Sequence, residues 1–143
     1  MLKRGALSSG VARVAAAVLL GLFVVAVQKV QGAGGPVPYR NIIPAQLWTI
    51  LQQKDFTLIN VHIPYAGEIR GTDAFIPYTD AGTKVPRILR DRRVEIVLYC
   101  QTGRMSAIAG EVLVRLGYAN VLNLEGGMVA WRQAGYPLLM VRR

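Results

Sequence analysis

The sequence predicts an α/β fold, an open parallel sheet flanked by helices, preceded by an N-terminal signal or anchor helix. Three observations carry that expectation. Apolar, β-rich runs at 56–61, 94–100 and 120–125 alternate with stretches whose apolar residues recur at helical spacing. Strands separated by helices pair in parallel through right-handed crossovers, which puts helices on both faces of the sheet. Residues 1–33 stand apart in composition and read as a signal peptide or membrane anchor, which leaves 36–143 as a single folded domain.

In the N-terminal segment, Lys3, Arg4 and Arg13 lead into the uncharged stretch Val14–Val27, followed by Gln28, Lys29 and the small residues of QGAGG. Basic, apolar and small regions in that order are the arrangement of a secretory signal. Fourteen residues of helix reach about 21 Å, short of a hydrocarbon core of about 30 Å, which favours a signal over a spanning helix. Arg13 and Lys29 at the two ends leave an uncleaved anchor open, because long basic side chains can reach the interfaces. The expected location is therefore periplasmic or otherwise extracytoplasmic, with any membrane association through residues 14–27.

The domain begins with a short strand in YRNII (39–43). Pro44 then suits the first turn of a helix that carries Leu47, Ile50 and Leu51 towards Asp55. FTLINV (56–61) is a strand, and 62–86 is rich in Gly and Pro and reads as loop and turn, with AFIPY (74–78) as a short extended piece. VEIVLYC (94–100) has the composition of a buried central strand. A helix follows over Arg104–Leu116, with Ile108, Val112, Leu113 and Leu116 on one face and Gly117 placed to end it. NVLNLE (120–125) is the next strand and MVAWRQAG (128–135) the next helix. There is no internal repeat.

Charge narrows the function classes. The chain of 143 residues carries a net charge of +9, but residues 1–33 hold four basic groups and no acid, which leaves 13 basic against 8 acidic residues, a net +5. The densest basic stretch, RILRDRR, has no interleaved aromatics for base stacking and reads as a solvated helix end, so no nucleic-acid partner is expected. One cysteine and one histidine fall short of a metal ligand set, and neither a metal nor an organic cofactor is expected.

The single cysteine, Cys100, ends the central strand, and ligand crevices in open α/β sheets form at that carboxyl edge. Gln101, Thr102, Gly103, Arg104, Met105 and Ser106 must turn the chain into a helix, so several backbone N–H groups can converge there, with Gly103 giving the conformational freedom. The helix dipole and the Arg104 guanidinium both favour a thiolate over a thiol. Spacing alone does not choose between a nucleophile in an anion cradle and a cysteine packed as a small hydrophobe. His62 reads as a structural hydrogen-bonding residue rather than the base of a Cys-His pair. Trp131 and Tyr136 read as core, with the mouth of the pocket as the alternative.

The stretch CQTGRMSAIAGEVLVRLGYANVLNLEGGMVAWRQAGYPL resembles the active-site half of a rhodanese-like, single-domain sulfurtransferase. Its shared features are Cys-x-x-Gly, Ser106 on the helix, Leu-Gly-Tyr, Gly126-Gly127, Ala130-Trp131 and Gly135-Tyr136-Pro137. TLINV, Gly67-x-Ile69-x-Gly71 and Ile76-Pro77 extend the likeness over about residues 39–139. Differences from the family pattern are Met105 in place of an arginine, Asn60-Val61-His62 in place of Asp-x-Arg, and Glu68 and Arg70 in place of histidine and proline.

The resemblance implies a catalytic Cys100 that takes sulfur from a small anionic donor such as thiosulfate, becomes a persulfide, and passes the sulfur to a thiol or other thiophilic acceptor. It implies that backbone N–H groups of Gln101–Ser106 bind the substrate and that Arg104 draws in the donor. The alternative within the same resemblance is a sulfur carrier or docking module with little turnover. A Cys-x5-Arg phosphatase would need arginine where Ser106 stands, and a thiol-disulfide oxidoreductase would need a resolving cysteine.

Overall fold

In the computed structural model, residues 38–141 are described; the 1–33 signal or anchor segment lies outside them. The order is β1 (Arg40–Ile42), α1 (Pro44–Ile50), β2 (Thr57–Asn60), β3 (Glu68–Ile69), β4 (Ala74–Phe75), α2 (Ala81–Ile88), β5 (Glu95–Tyr99), α3 (Arg104–Arg115), β6 (Asn120–Leu124), α4 (Gly127–Gln133) and β7 (Leu138–Leu139). Among the described residues, five strands form a sheet in the order β1-β6-β5-β2-β4, and every pairing in it is parallel. β3 and β7 form a separate antiparallel ribbon.

β5 lies at the centre, and side chains that alternate along it divide the core in two. Ile96, Leu98 and Cys100 join Ala109, Leu113 and Val114 of α3 and Val85 of α2 on one face. Val97 and Tyr99 join Leu47 of α1 and Met128 and Trp131 of α4 on the other. A strand buried on both faces needs this run of apolar residues, which is why VEIVLYC reads as central from its composition.

α1 starts as its sequence suggests. Pro44 occupies the first turn, and the Ile43 amide, which has no partner in the helix, donates to Gln46 Oε1 at 3.0 Å. The helix ends at Ile50 and tightens into a 3-10 turn over Leu51–Gln53, earlier than Asp55. Lys54 then bonds Asp73 at 2.6 Å, and Asp73 accepts the Leu58 amide at 2.8 Å, which ties the start of β2 to the segment leading into β4.

Three features depart from the sequence expectation. α2 begins within the 62–86 segment read as loop and runs on to Ile88, because Gly82 and Pro86 look like breakers. Gly82 is there for close approach: a Cβ on it would lie 2.9 Å from Val112 Cγ1 of α3. Pro86 removes one backbone donor near the end of a short helix, and Ala81 and Val85 hold that helix in place by burial. The buried face of α3 is Ser106, Ala109, Gly110, Leu113 and Val114, whereas Ile108 and Leu116 are 43% and 41% exposed. Leu113 is on the inner face as expected, but Ser106, Ala109 and Gly110 share it, so large apolar residues alone do not mark the inner side. The β3–β7 ribbon joins residues too few per strand to show period-two alternation.

Burial pushes the Tyr99 hydroxyl up to about 12, so it stays protonated and anchors the ribbon. It accepts the Ile69 amide at 3.1 Å and shares a 2.6 Å hydrogen bond with Thr72. No helix among the described residues is long and apolar enough to cross a membrane.

Candidate active site

Cys100 follows the last residue of β5, buried at 1% exposure. The chain must reverse from strand to helix within Gln101–Gly103. Gly103 does this at φ +89°, a left-handed conformation that an L side chain resists. A Cβ there would also stand 3.1 Å from the Gly126 nitrogen and 3.2 Å from the Leu124 carbonyl oxygen.

The turn carries two donors to the sulfur. The Gly103 N–H donates to Cys100 Sγ at 3.1 Å. The Ser106 hydroxyl, fully buried one turn into α3, lies 3.4 Å from Sγ and 3.2 Å from the Gly103 carbonyl oxygen, so its single hydrogen serves either acceptor. An anionic sulfur is the stronger acceptor, and a charge on Sγ therefore draws that hydrogen towards itself.

A second helix holds the cysteine's backbone. Met128 N–H donates to the Cys100 carbonyl at 2.9 Å and Val129 N–H to the Gln101 carbonyl at 3.0 Å. These are first-turn amides of α4, and they approach only because Gly127 has no side chain: a Cβ on it would overlap the Cys100 carbonyl oxygen and come within 2.8 Å of the Gln101 oxygen. The thiol is thus set from α3 through its side chain and from α4 through its carbonyl.

Of the loop residues singled out from sequence, Gly103 and Ser106 reach the sulfur. Gln101, Thr102 and Arg104 are exposed at the surface of the turn, and Arg104 makes no ion pair or hydrogen bond among the described residues. Met105 is half-buried against the α2–α3 side of the core. The Gly103 amide is the one that bonds the sulfur here, while Arg104, Met105 and Ser106 carry the first-turn amides of α3, which precede its first intrahelical bond from Ala107 to Gly103 and so have no partner within the helix.

His62 also departs from expectation. Its backbone N–H donates to Asn60 Oδ1 at 3.0 Å, but its buried Nδ1 has no hydrogen-bond partner among the described residues. Burial lowers its pKa below the ordinary 6.5 and keeps the ring neutral at pH 7. Asn60 does the structural work at this strand end: its Nδ2 donates to the Gly67 carbonyl at 3.0 Å while its Oδ1 holds the His62 amide. That role is hard to read from sequence, since Asn60 lies inside a β-rich run. Trp131 is core, 1% exposed, with its Nε1–H donating to the Pro137 carbonyl at 2.9 Å. Among the described residues, no group of three or more His, Cys, Asp or Glu could hold a metal ion.

Residues 45–134 match the family described as the rhodanese-like domain. A sulfurtransferase of Allochromatium vinosum is 39% identical over 56 residues, 39% of this chain and 50% of that protein, so the match spans half of that relative's length. A thiosulfate sulfurtransferase of Pseudoalteromonas translucida is 25% identical over 101 residues, 67% of this chain and 91% of that protein. The crystal structure of a rhodanese-related protein from Thermoplasma volcanium superposes with a TM-score of 0.61 at 31% identity, covering 72% of this chain and 100% of that one.

Proposed function

The chain belongs to the rhodanese-like domain family, and on that premise we propose that it is a sulfurtransferase working through a persulfide on Cys100. The observation that carries this reading is the pair of donors on one buried sulfur, the Gly103 amide and the Ser106 hydroxyl.

With thiosulfate as donor, Cys100 Sγ attacks the outer sulfur as a thiolate. A new S–S bond forms, the donor's own S–S bond breaks, and sulfite leaves with the electron pair. The acceptor, a thiol or another sulfur nucleophile, then attacks the terminal sulfur of the persulfide and returns the electron pair to Sγ. Dividing the transfer in this way replaces one difficult encounter with two displacements at sulfur. Negative charge rests on cysteine sulfur before the first displacement and after the second. Donors already in place at Gly103 and Ser106 stabilise it with little reorganisation.

Arg104, exposed and unpaired among the described residues at the start of α3, is suited to drawing in an anionic donor rather than to touching the reacting atoms. Export to an extracytoplasmic compartment belongs to the same proposal and is supported by the order of basic, apolar and small residues in 1–33. A carrier or docking role is favoured by one observation, the 1% exposure of Cys100, since a shielded sulfur suits storage as well as turnover.

The test is intact-protein mass spectrometry of the full chain before and after thiosulfate, with Cys100→Ser alongside. Gain of one sulfur atom only in the cysteine protein, reversed by cyanide with formation of thiocyanate, is the expected result. Absence of any gain on a confirmed reduced thiol would overturn the thiosulfate reading. Loading without steady-state turnover would overturn the catalyst in favour of the carrier.

A further inference from the structure

A cleft of about 270 Å³ lies between α1 with its following 3-10 turn, α4 and the ribbon, and none of its lining residues belongs to the Cys100 loop. Its walls are Trp48, Leu51, Trp131 and Pro137, with Arg70 and Gly71 beside them. Both tryptophans of the chain are therefore in this one place.

The aromatic wall is set before any ligand arrives. Trp48 stacks on Tyr136 with ring centroids 4.7 Å apart and planes 10° from parallel. Tyr136 meets Trp131 at 4.7 Å, and Trp131 is further held by its hydrogen bond to Pro137. Yet Trp48 remains 41% exposed, a large apolar side chain left partly uncovered at a concave site. Rings already fixed by one another lose little freedom when a ligand covers them.

The charge at the cleft has one sign. Lys54 also lines it, but its ammonium is taken up by Asp73 at 2.6 Å and the Phe56 carbonyl at 2.8 Å. Arg70 is exposed and has no ion pair or hydrogen bond among the described residues, so its guanidinium is the uncompensated charge. A planar guanidinium next to fixed aromatic rings fits a planar anionic group attached to a flat apolar body.

We infer that this cleft is a second binding site, for a small flat apolar molecule bearing one carboxylate or sulfonate, with its body on the exposed ring of Trp48, which Tyr136 and the buried Trp131 back, and its acid group on Arg70. The volume lies just below the range usual for drug-sized ligands, which limits the occupant to about one or two fused rings. Binding here is separate from sulfur transfer, since Cys100 and its donors contribute nothing to the walls.

The probe is 2-naphthoate, titrated into the ¹⁵N-labelled full chain while the two indole Nε1–H resonances are followed. Both resonances should move and saturate together. Arg70→Gln should raise the Kd by about tenfold or more, because it removes a charge-assisted hydrogen bond. The uncharged 2-naphthalenemethanol should bind both proteins with the same weak affinity. Indole resonances that do not saturate, or equal Kd values for 2-naphthoate in the two proteins with backbone spectra otherwise unchanged, would overturn the assignment.

Discussion

Gly127→Ala tests whether α4 is a rigid buttress for the nucleophile. Gly127 has φ +55°, and an L residue in that region costs about 1–2 kcal/mol. Its new Cβ would also overlap the Cys100 carbonyl oxygen, so the cysteine loop and the start of α4 must separate. Separation weakens the Met128–Cys100 and Val129–Gln101 hydrogen bonds, 2.9 and 3.0 Å long, each contributing about 0.5–1.5 kcal/mol. The sum is about 2–5 kcal/mol, a large share of a typical domain stability of about 5–15 kcal/mol. Gly135→Ala supplies the comparison, because Gly135 has φ +84° but no atom within 4 Å of its would-be Cβ, leaving conformational strain alone.

Urea unfolding of the two variants isolates the contact. With a slope of about 2 kcal/mol/M, the additional loss in Gly127→Ala corresponds to a midpoint about 1 M lower than in Gly135→Ala. Modification of Cys100 by an aromatic disulfide should also be faster in Gly127→Ala, since the loop that shields the 1%-exposed thiol has moved. Equal midpoints and equal thiol reactivity would refute the claim that the glycine exists for this approach.

Two further outcomes are expected. Ser106→Ala removes the buried hydroxyl 3.4 Å from Sγ; at about 1 kcal/mol for that bond, sulfur loading should slow about fivefold in single-turnover mass spectrometry, and unchanged loading would show that the hydroxyl serves the Gly103 carbonyl instead. Burial lowers the His62 pKa, so below pH 6.5 the unfolded chain takes up a proton that the folded chain refuses, and stability falls as pH drops through that window. Urea midpoints between pH 7.5 and about 5 should therefore fall less in His62→Gln than in the parent. The lowered carboxyls of Asp80 and Asp91 act only near or below their ordinary 3.8 and leave this comparison clean.

Much of the fold was legible from periodicity. β2, β5 and β6 were visible as β-rich runs, and α1, α3 and α4 as helical spacing between them. The failures were specific. Gly82 and Pro86 concealed α2 because a glycine chosen for close packing against Val112 is indistinguishable, in sequence, from a loop glycine. On α3, Leu113 marked the inner face correctly, while Ile108 and Leu116 misdirected it because Ser106, Ala109 and Gly110 share that face with Leu113 and Val114 and carry little apolar signal of their own.

At the site, the sequence alone determined that Cys100 ends a buried strand and that Gly103 and Ser106 follow within one turn of it. Those relations depend on neighbours in the chain, where helix and strand geometry leave few choices. Tertiary structure alone decided that α4 clamps the Cys100 carbonyl, that Asn60 rather than the His62 ring secures the end of β2, and that Trp48, Trp131 and Arg70 share a cleft. Each of these joins segments that meet only after the strands have taken their order in the sheet. That order follows from the total burial of two apolar faces, which no short stretch of sequence contains.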